Sequence, residues 1–87
     1  MEFYFIYVLL SFKDKKFYIG LTNKVERRYL EHQIGKNVST YKRRPFKLIF
    51  YEAYLNKKDA ERRERYFKTT KGKVTLRQML KEYLKDK

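Results

Sequence analysis

The sequence predicts a small α/β domain: a three-stranded, largely antiparallel sheet flanked by helices, in the order β-β-α-β-α-α. Three observations carry this. An apolar run opens the chain, two later segments repeat its strand character, and the stretches between and after them show helical periodicity behind polar residues of capping type. One set of such elements fills 87 residues, so residues 1–87 are expected to form a single domain.

Each element follows in order. Glu2 to Phe12 is a run rich in Phe, Tyr, Ile, Val and Leu, the composition of a strand covered on both faces and therefore central in its sheet. Lys13-Asp14-Lys15-Lys16 is a polar break, and Phe17 to Leu21 resumes the strand pattern, so the two segments predict a hairpin. If Asp14 and Lys15 are the turn, Tyr18 lies opposite Ser11, and Tyr7 and Tyr18 point to one side of the sheet. Asn23 has the character of an N-cap, with Glu26 completing a capping box. The helix runs from about Lys24 to Ile34 and stops at Gly35. Asn37 to Arg44 is a polar, basic loop closed by Pro45, at the edge of a third strand, Phe46 to Tyr54. Asn56 caps a second helix, with Leu55 and Ala60 placed for a hydrophobic staple, and that helix ends near Thr69 to Gly72. A third helix is expected over about Val74 to Leu84, from the spacing of Leu76, Leu80 and Leu84.

Composition narrows the function classes. The chain has no cysteine, which excludes a disulfide framework, a thiolate zinc site and a cysteine nucleophile. With a single histidine, a metal held mainly by imidazole is not expected, and a catalytic metal would be a hard cation on oxygen ligands. Lysine and arginine total 23 against 10 acidic residues, a formal charge of +13. That balance points to a polyanionic partner, and nucleic acid leads because nine tyrosines and seven phenylalanines are interleaved with the basic residues. Core packing accounts for most of those aromatics in so small a domain. Phe3 to Leu10 is far shorter than the roughly 20 residues that cross a bilayer, and it lacks a basic n-region and cleavage site. A cytoplasmic protein with no membrane partner is the expectation.

Three polar residues, Glu64, His32 and Arg28, fall on or near core-facing stripes. On the second helix Ala60, Glu64 and Phe67 share one stripe, while Glu61 points away. A carboxylate on such a stripe is either a structural ion pair or a functional group, because burying it alone is costly. His32 falls on the stripe of Val25 and Tyr29 on the first helix, with Arg28 four residues before it. Leu30 and Ile34 form a second apolar line there, and the pattern leaves open which is deeper. Lys42, Arg43 and Arg44 are candidates for tracking a phosphate backbone, as are Lys57, Lys58, Arg62, Arg63 and Arg65 on the second helix; solvated surface is the alternative for each.

These residues together resemble the GIY-YIG endonuclease superfamily. Phe5-Ile6-Tyr7 and Tyr18-Ile19-Gly20 stand where its two name motifs stand, with the tyrosines eleven residues apart. Leu21 to Gly35 is similar to its helix segment, Arg44-Pro45-Phe46-Lys47-Leu48 to the entry of its third strand, and Ala60 to Lys68 to the helix bearing its metal-binding glutamate. The likeness covers residues 3 to about 80 and looks closest to small stand-alone bacterial members. It departs at Phe5, where the motif has glycine.

The resemblance implies a metal-dependent endonuclease that hydrolyses DNA phosphodiester bonds. By it, Glu64 is the carboxylate that holds one divalent ion, Mg²⁺ or Mn²⁺, and Arg28 steadies the charge developing on the phosphate. Tyr7 resembles the tyrosine proposed as general base or organiser of the water, Tyr18 the second tyrosine of the site, and His32 a histidine near the scissile phosphate. Tyr7 and His32 both stay open as the base. Lys68, four residues after Glu64, is placed to touch phosphate or simply to be solvated. No small-molecule cofactor is implied. A non-catalytic nucleic-acid-binding module on the same scaffold is the competing reading, and a protein partner that chooses the DNA is a third.

Overall fold

The structure, a computed structural model, describes residues 2–85. Its elements are β1 (Tyr4–Ser11), β2 (Phe17–Thr22), α1 (Val25–Gln33), a 3-10 turn (Tyr41–Arg43), β3 (Phe46–Tyr54), α2 (Lys57–Phe67), α3 (Thr70–Met79) and α4 (Lys81–Leu84). The strands form an antiparallel sheet in the order β2-β1-β3, so the apolar run at the start of the chain is central, as its composition predicts.

Both faces of β1 are buried, but differently. Ile6, Val8 and Leu10 pack with Phe17 and Ile19 against Ala60, Phe67 and Leu76 of α2 and α3. Tyr7 and Leu9 pack on the other face with Phe46, Tyr18, Leu48, and Val25 and Tyr29 of α1. A bulge opposite Val8 and Leu9 lets β3 serve both cores: Phe50 pairs with Val8 and joins the first, whereas Leu48 pairs with Leu9 and joins the second.

The hairpin differs from the expected two-residue turn. The Ser11 N–H donates to the Lys16 carbonyl (3.0 Å) and the Lys15 N–H to the Ser11 carbonyl (2.9 Å), closing a loop over Phe12 to Lys15. Lys15 takes the left-handed conformation at φ 63°. Tyr18 therefore stands opposite Leu9, not Ser11. The slip is an even number of residues, so Tyr7 and Tyr18 keep their shared face.

Helix ends show where local signals hold. Gly35, at φ 83°, ends α1: its N–H donates to the His32 carbonyl, and the Lys36 N–H donates to that of Glu31. Asn56 caps α2 through its side chain, which accepts from the Lys58 N–H at 2.8 Å. At α1 the cap is not Asn23; the helix begins at Val25, and the Thr22 hydroxyl accepts from the Lys24 N–H at 3.1 Å. The staple at α2 is not built, since Leu55 is 59% exposed while Ala60 is buried.

Farther on, Thr69 caps α3 by accepting from the Gly72 N–H, so the helix starts at Thr70, ahead of the expected Val74. Gly72 lies within it and marks close approach: a methyl group there would overlap the Tyr66 carbonyl. The expected third helix is interrupted at Leu80, beyond which α4 begins, and Leu80 and Leu84 still pack against the first core.

Candidate active site

Tyr7 is the hub of the α1-facing side of the sheet, although only 3% of it is exposed. Gly20 stands opposite it on β2, and a Cβ at Gly20 would overlap the phenol's Cζ and hydroxyl. The ring of Tyr7 thus lies across the one position of β2 that has no side chain. Tyr18, two residues away on β2, has its ring centroid 6.2 Å from that of Tyr7.

The Tyr7 hydroxyl lies 3.1 Å from His32 Nε2, and His32 Nδ1 lies 2.9 Å from Thr40 Oγ1. Thr40 Oγ1 also lies 3.4 Å from the Asn37 carbonyl, to which it donates. One tautomer satisfies all three contacts: Nδ1–H donates to Thr40, and Nε2 accepts from Tyr7. His32 is fully buried, with rings of Tyr18 at 4.8 Å and Phe46 at 6.0 Å. The stripe of Val25, Tyr29 and His32 is accordingly the deep one on α1, and Leu30 and Ile34 lie 60% and 57% exposed.

What holds α1 against the sheet explains why His32 is aimed so well. Tyr29 donates its hydroxyl proton to the Phe46 carbonyl (3.1 Å), and Gln33 accepts the Phe46 N–H (2.7 Å). The first residue of β3 is thereby gripped at both backbone groups by α1. The next residue toward the loop's start, across Pro45, belongs to the segment that carries Thr40.

Electrostatics tie the remaining groups to the hub. Burial first, then the neighbouring Tyr18, push the Tyr7 phenol far above its ordinary value of 10.0; Arg28 pulls it back in part, and Glu64 adds to the rise. Arg28 and Glu64 belong to helices packed on opposite faces of the sheet, α1 and α2. His32 is held below its ordinary 6.5, first by burial and then by the Arg28 charge, with Glu31 opposing. Both effects favour the neutral ring, and the neutral Nδ1–H tautomer fits its hydrogen bonds.

Arg28 and Glu64 each have a partner within the chain. Arg28 Nε lies 3.5 Å from Glu31, and Glu64 lies 3.1 Å from Lys68 Nζ. Both remain reachable from solvent, their side chains 41% and 20% exposed. A cleft of about 210 Å³ opens beside Arg28, lined also by Glu31, Lys36 and Asn37.

The structure thus brings Tyr7, Tyr18 and His32 into contact, with Arg28 one turn before His32 on α1, while Glu64 stands on α2, which packs on the other side of β1. The basic loop residues are elsewhere and unlike one another. Arg43 is committed to the fold: its Nε donates to Asp14 at 2.6 Å and its Nη2 to the Phe17 carbonyl at 3.2 Å. Lys42 is exposed, and Arg44 is exposed but braced by its bond to the Tyr41 carbonyl at 2.7 Å. On α2, Arg63 grips Glu52 of β3 at 3.0 Å and lies over the Phe67 ring. Thr40 and Gly20 belong to the site's construction, yet neither has an ionisable group to draw attention. Gly20 carried a signal as a lone glycine within a strand; Thr40, in a polar loop, carried none.

A metal ion, if bound, has few ligands in the chain. Among the described residues, no three acidic, histidine or cysteine side chains converge to hold one. One partly exposed carboxylate, Glu64, fits a hard divalent cation that fills its other positions with water and phosphate oxygens.

Comparison with known proteins decides the family. Residues 3–78 match the family model of the GIY-YIG catalytic domain. The chain belongs to the GIY-YIG family. Among its relatives is a UPF0213 protein of Limosilactobacillus reuteri, 46% identical over 70 residues, covering 77% of this chain and 72% of that one. Others are the UPF0213 protein CPE1444 of Clostridium perfringens (38% identical; 74% and 69% covered) and the UPF0213 protein YazA of Bacillus subtilis (41% identical; 75% and 66% covered). No solved structure matches the chain. GIY-YIG membership implies a nuclease-type function. Phe5, where the GIY motif has glycine, packs edge-on against Tyr51 with centroids 5.7 Å apart, so the departure adds sheet packing and leaves Tyr7 in its place. No helix among the described residues is long and apolar enough to cross a membrane.

Proposed function

We propose that the protein is a divalent-metal-dependent DNA endonuclease whose reacting groups are Tyr7, Arg28 and Glu64, with Tyr18 at the rim and His32 positioned behind Tyr7. The observation that carries this reading is the 3.1 Å hydrogen bond between the Tyr7 hydroxyl and the buried His32 imidazole, with Arg28 one turn away on the same helix as His32.

Phosphodiester hydrolysis needs a deprotonated water and compensation of the charge that builds on the phosphate. Arg28 offers planar, permanently charged donors to the non-bridging oxygens, and in the free protein Glu31 occupies that guanidinium. Glu64 would hold the ion, exchanging Lys68 for it. The chemistry Glu64 would gain from a bound divalent ion is positive charge beside the reacting phosphate. Lys68, released, would be free to neutralise a phosphate.

In the metal-free protein, burial and the neighbouring Tyr18 hold the Tyr7 phenol in its protonated form. His32 cannot meet water directly, because it is fully buried. Their hydrogen bond resolves both difficulties. The Tyr7 oxygen takes a proton from the attacking water as its own proton passes to His32 Nε2, and the imidazolium is steadied through Nδ1–H by Thr40. His32 is a positioning and proton-holding residue, and Tyr7 is the group that touches the water.

One observation favours a second reading, a nucleic-acid-binding module without catalysis. Both Arg28 and Glu64 are already ion-paired, as purely structural residues would be. Incubation with supercoiled, single-stranded and branched DNA in Mg²⁺, Mn²⁺ or chelator separates the two. The nuclease reading expects cleavage that needs the metal. Binding without cleavage of any substrate supports the module, and cleavage that persists in chelator contradicts the mechanism.

A further inference from the structure

A shallow pocket of about 460 Å³ opens at the α1–β3 loop. It is lined by Lys13 of the hairpin loop, Gln33 of α1, and Tyr41, Lys42, Arg44 and Pro45. The lining residues include three cations and no carboxylate. This separates it from the neighbouring basic pocket, of about 490 Å³, where Asp14 sits among the cations and already holds Arg43.

The pocket is built in advance. Arg44 Nε donates to the Tyr41 carbonyl at 2.7 Å, its Nη1 reaches the Gln33 carbonyl at 3.5 Å, and its guanidinium covers the Tyr41 ring at 5.9 Å. The Tyr41 backbone N–H donates to Asn37 at 3.0 Å. Tyr41 is nevertheless 41% exposed, an aromatic ring on a braced backbone and open to solvent. An exposed aromatic ring amid cations is the combination by which single strands are held: cations on phosphates, a ring against a base. Duplex DNA has its base faces covered by their neighbours, so only an unpaired base can use the ring. The preceding residue, Thr40, carries the bond to His32, which fixes this loop relative to the Tyr7 site.

We propose that this pocket is a subsite for a single DNA strand, in which an unpaired base stacks on Tyr41 and Lys13, Lys42 and Arg44 hold the adjoining phosphates. It deepens the nuclease reading, on which it rests for the choice of DNA, by naming the substrate as DNA with a single-stranded segment beside the cut.

The chain contains no tryptophan, so Tyr41→Trp makes a lone reporter at the pocket. The titrations are done in chelator, where binding is read without cleavage. Single-stranded DNA is expected to quench the Trp fluorescence, whereas an oligomer of equal phosphate number with abasic sites throughout binds without comparable quenching. Tyr41→Ala is expected to weaken binding to an overhang-bearing duplex by about 5- to 100-fold, with blunt duplex unaffected and Tyr41→Phe like wild type. Lys42→Ala should lower the salt-dependence slope for single strands by about 0.7. Equal quenching by the abasic oligomer, or an equal loss for blunt duplex in Tyr41→Ala, overturns the subsite. RNA of the same sequence quenching at lower concentration than DNA overturns the assignment to DNA. Cleavage with no Trp quenching would sink the subsite and leave the nuclease standing. Base-dependent quenching in a protein that cuts nothing would sink the nuclease and leave a single-strand binder.

Discussion

Ile6, Val8 and Leu10 leave the central strand on one side, and Tyr7, Leu9 and Ser11 leave it on the other. Both sides are buried, yet they solve different problems. The first is closed by Phe67, Ala60 and Leu76, all fully buried, and its packing is apolar. The second buries hydroxyls and an imidazole, each of them satisfied: Tyr7 by His32, His32 by Thr40, and Ser11 by the Arg43 carbonyl at 2.6 Å. Burial of apolar area can be spread over many interchangeable side chains, whereas buried polar groups must meet specific partners. A domain this small can place a reactive phenol in its interior because the opposite face of the same strand carries so much of the stability.

The sharpest way to break this division is Phe67→Ala. It empties the apolar face and is expected to cost about 3–5 kcal/mol, a large share of the stability of so small a domain. Urea unfolding reads the loss, and a change below about 1 kcal/mol would mean that the apolar face does not carry the fold as described.

A smaller effect is expected from Gly20→Ala, a substitution that strand preferences alone would favour. The added methyl group meets the Tyr7 phenol, so the hydroxyl must leave His32. Overpacking should cost roughly 1–3 kcal/mol, while cleavage falls by about tenfold or more, in the range of a lost general-base contribution. Cleavage at the wild-type rate in Gly20→Ala would show that the packing of Tyr7 on β2 is irrelevant to the chemistry.

The smallest effect concerns pH. His32 has its folded-state pKa below its unfolded value of 6.5, so the unfolded chain takes up the proton more readily. Its contribution to stability is complete above about 6.5 and is lost as pH falls through that value toward the folded-state pKa. Asp14, held at about 2 first by its hydrogen bond from Arg43, gives up its contribution only below 3.8, outside this window. Melting temperature should therefore decline by a few degrees between about pH 7 and 5, on the usual scale for a domain of this size. His32→Gln should flatten that decline. An unchanged slope in the variant would show that His32 is not buried neutral.

The sequence made the architecture legible where the signals were local. The β1 run, Asn56 as a cap, and Gly35 as a stop each depend on a few adjacent residues, and all appear as expected. What it left unread depends on partners distant along the chain. Gly72 resembled a helix end until its contact with the Tyr66 carbonyl showed it to be a packing position. Arg43 resembled its neighbours Lys42 and Arg44, but Asp14, from a different loop, claims it. Thr40 is joined to His32 by tertiary structure alone. Glu64 and His32 were readable because a polar group on an apolar helical stripe is unusual, and Tyr7, Tyr18 and Arg28 through the family resemblance; Thr40 and Gly20, ordinary loop and strand residues, were not.

The proposed chemistry requires Glu64 and Arg28 to act on a phosphate beside Tyr7. Its most direct test is the single-turnover cleavage rate of Glu64→Gln against wild type in Mg²⁺, on a DNA that wild type cuts, with thermal melting measured on the same samples. The variant keeps the size and hydrogen-bonding capacity of the side chain and removes the charge that would hold the ion. A loss of at least about 100-fold at an unchanged melting temperature is predicted, the scale of removing one electrostatic stabiliser. Cleavage within a few-fold of wild type would contradict the account.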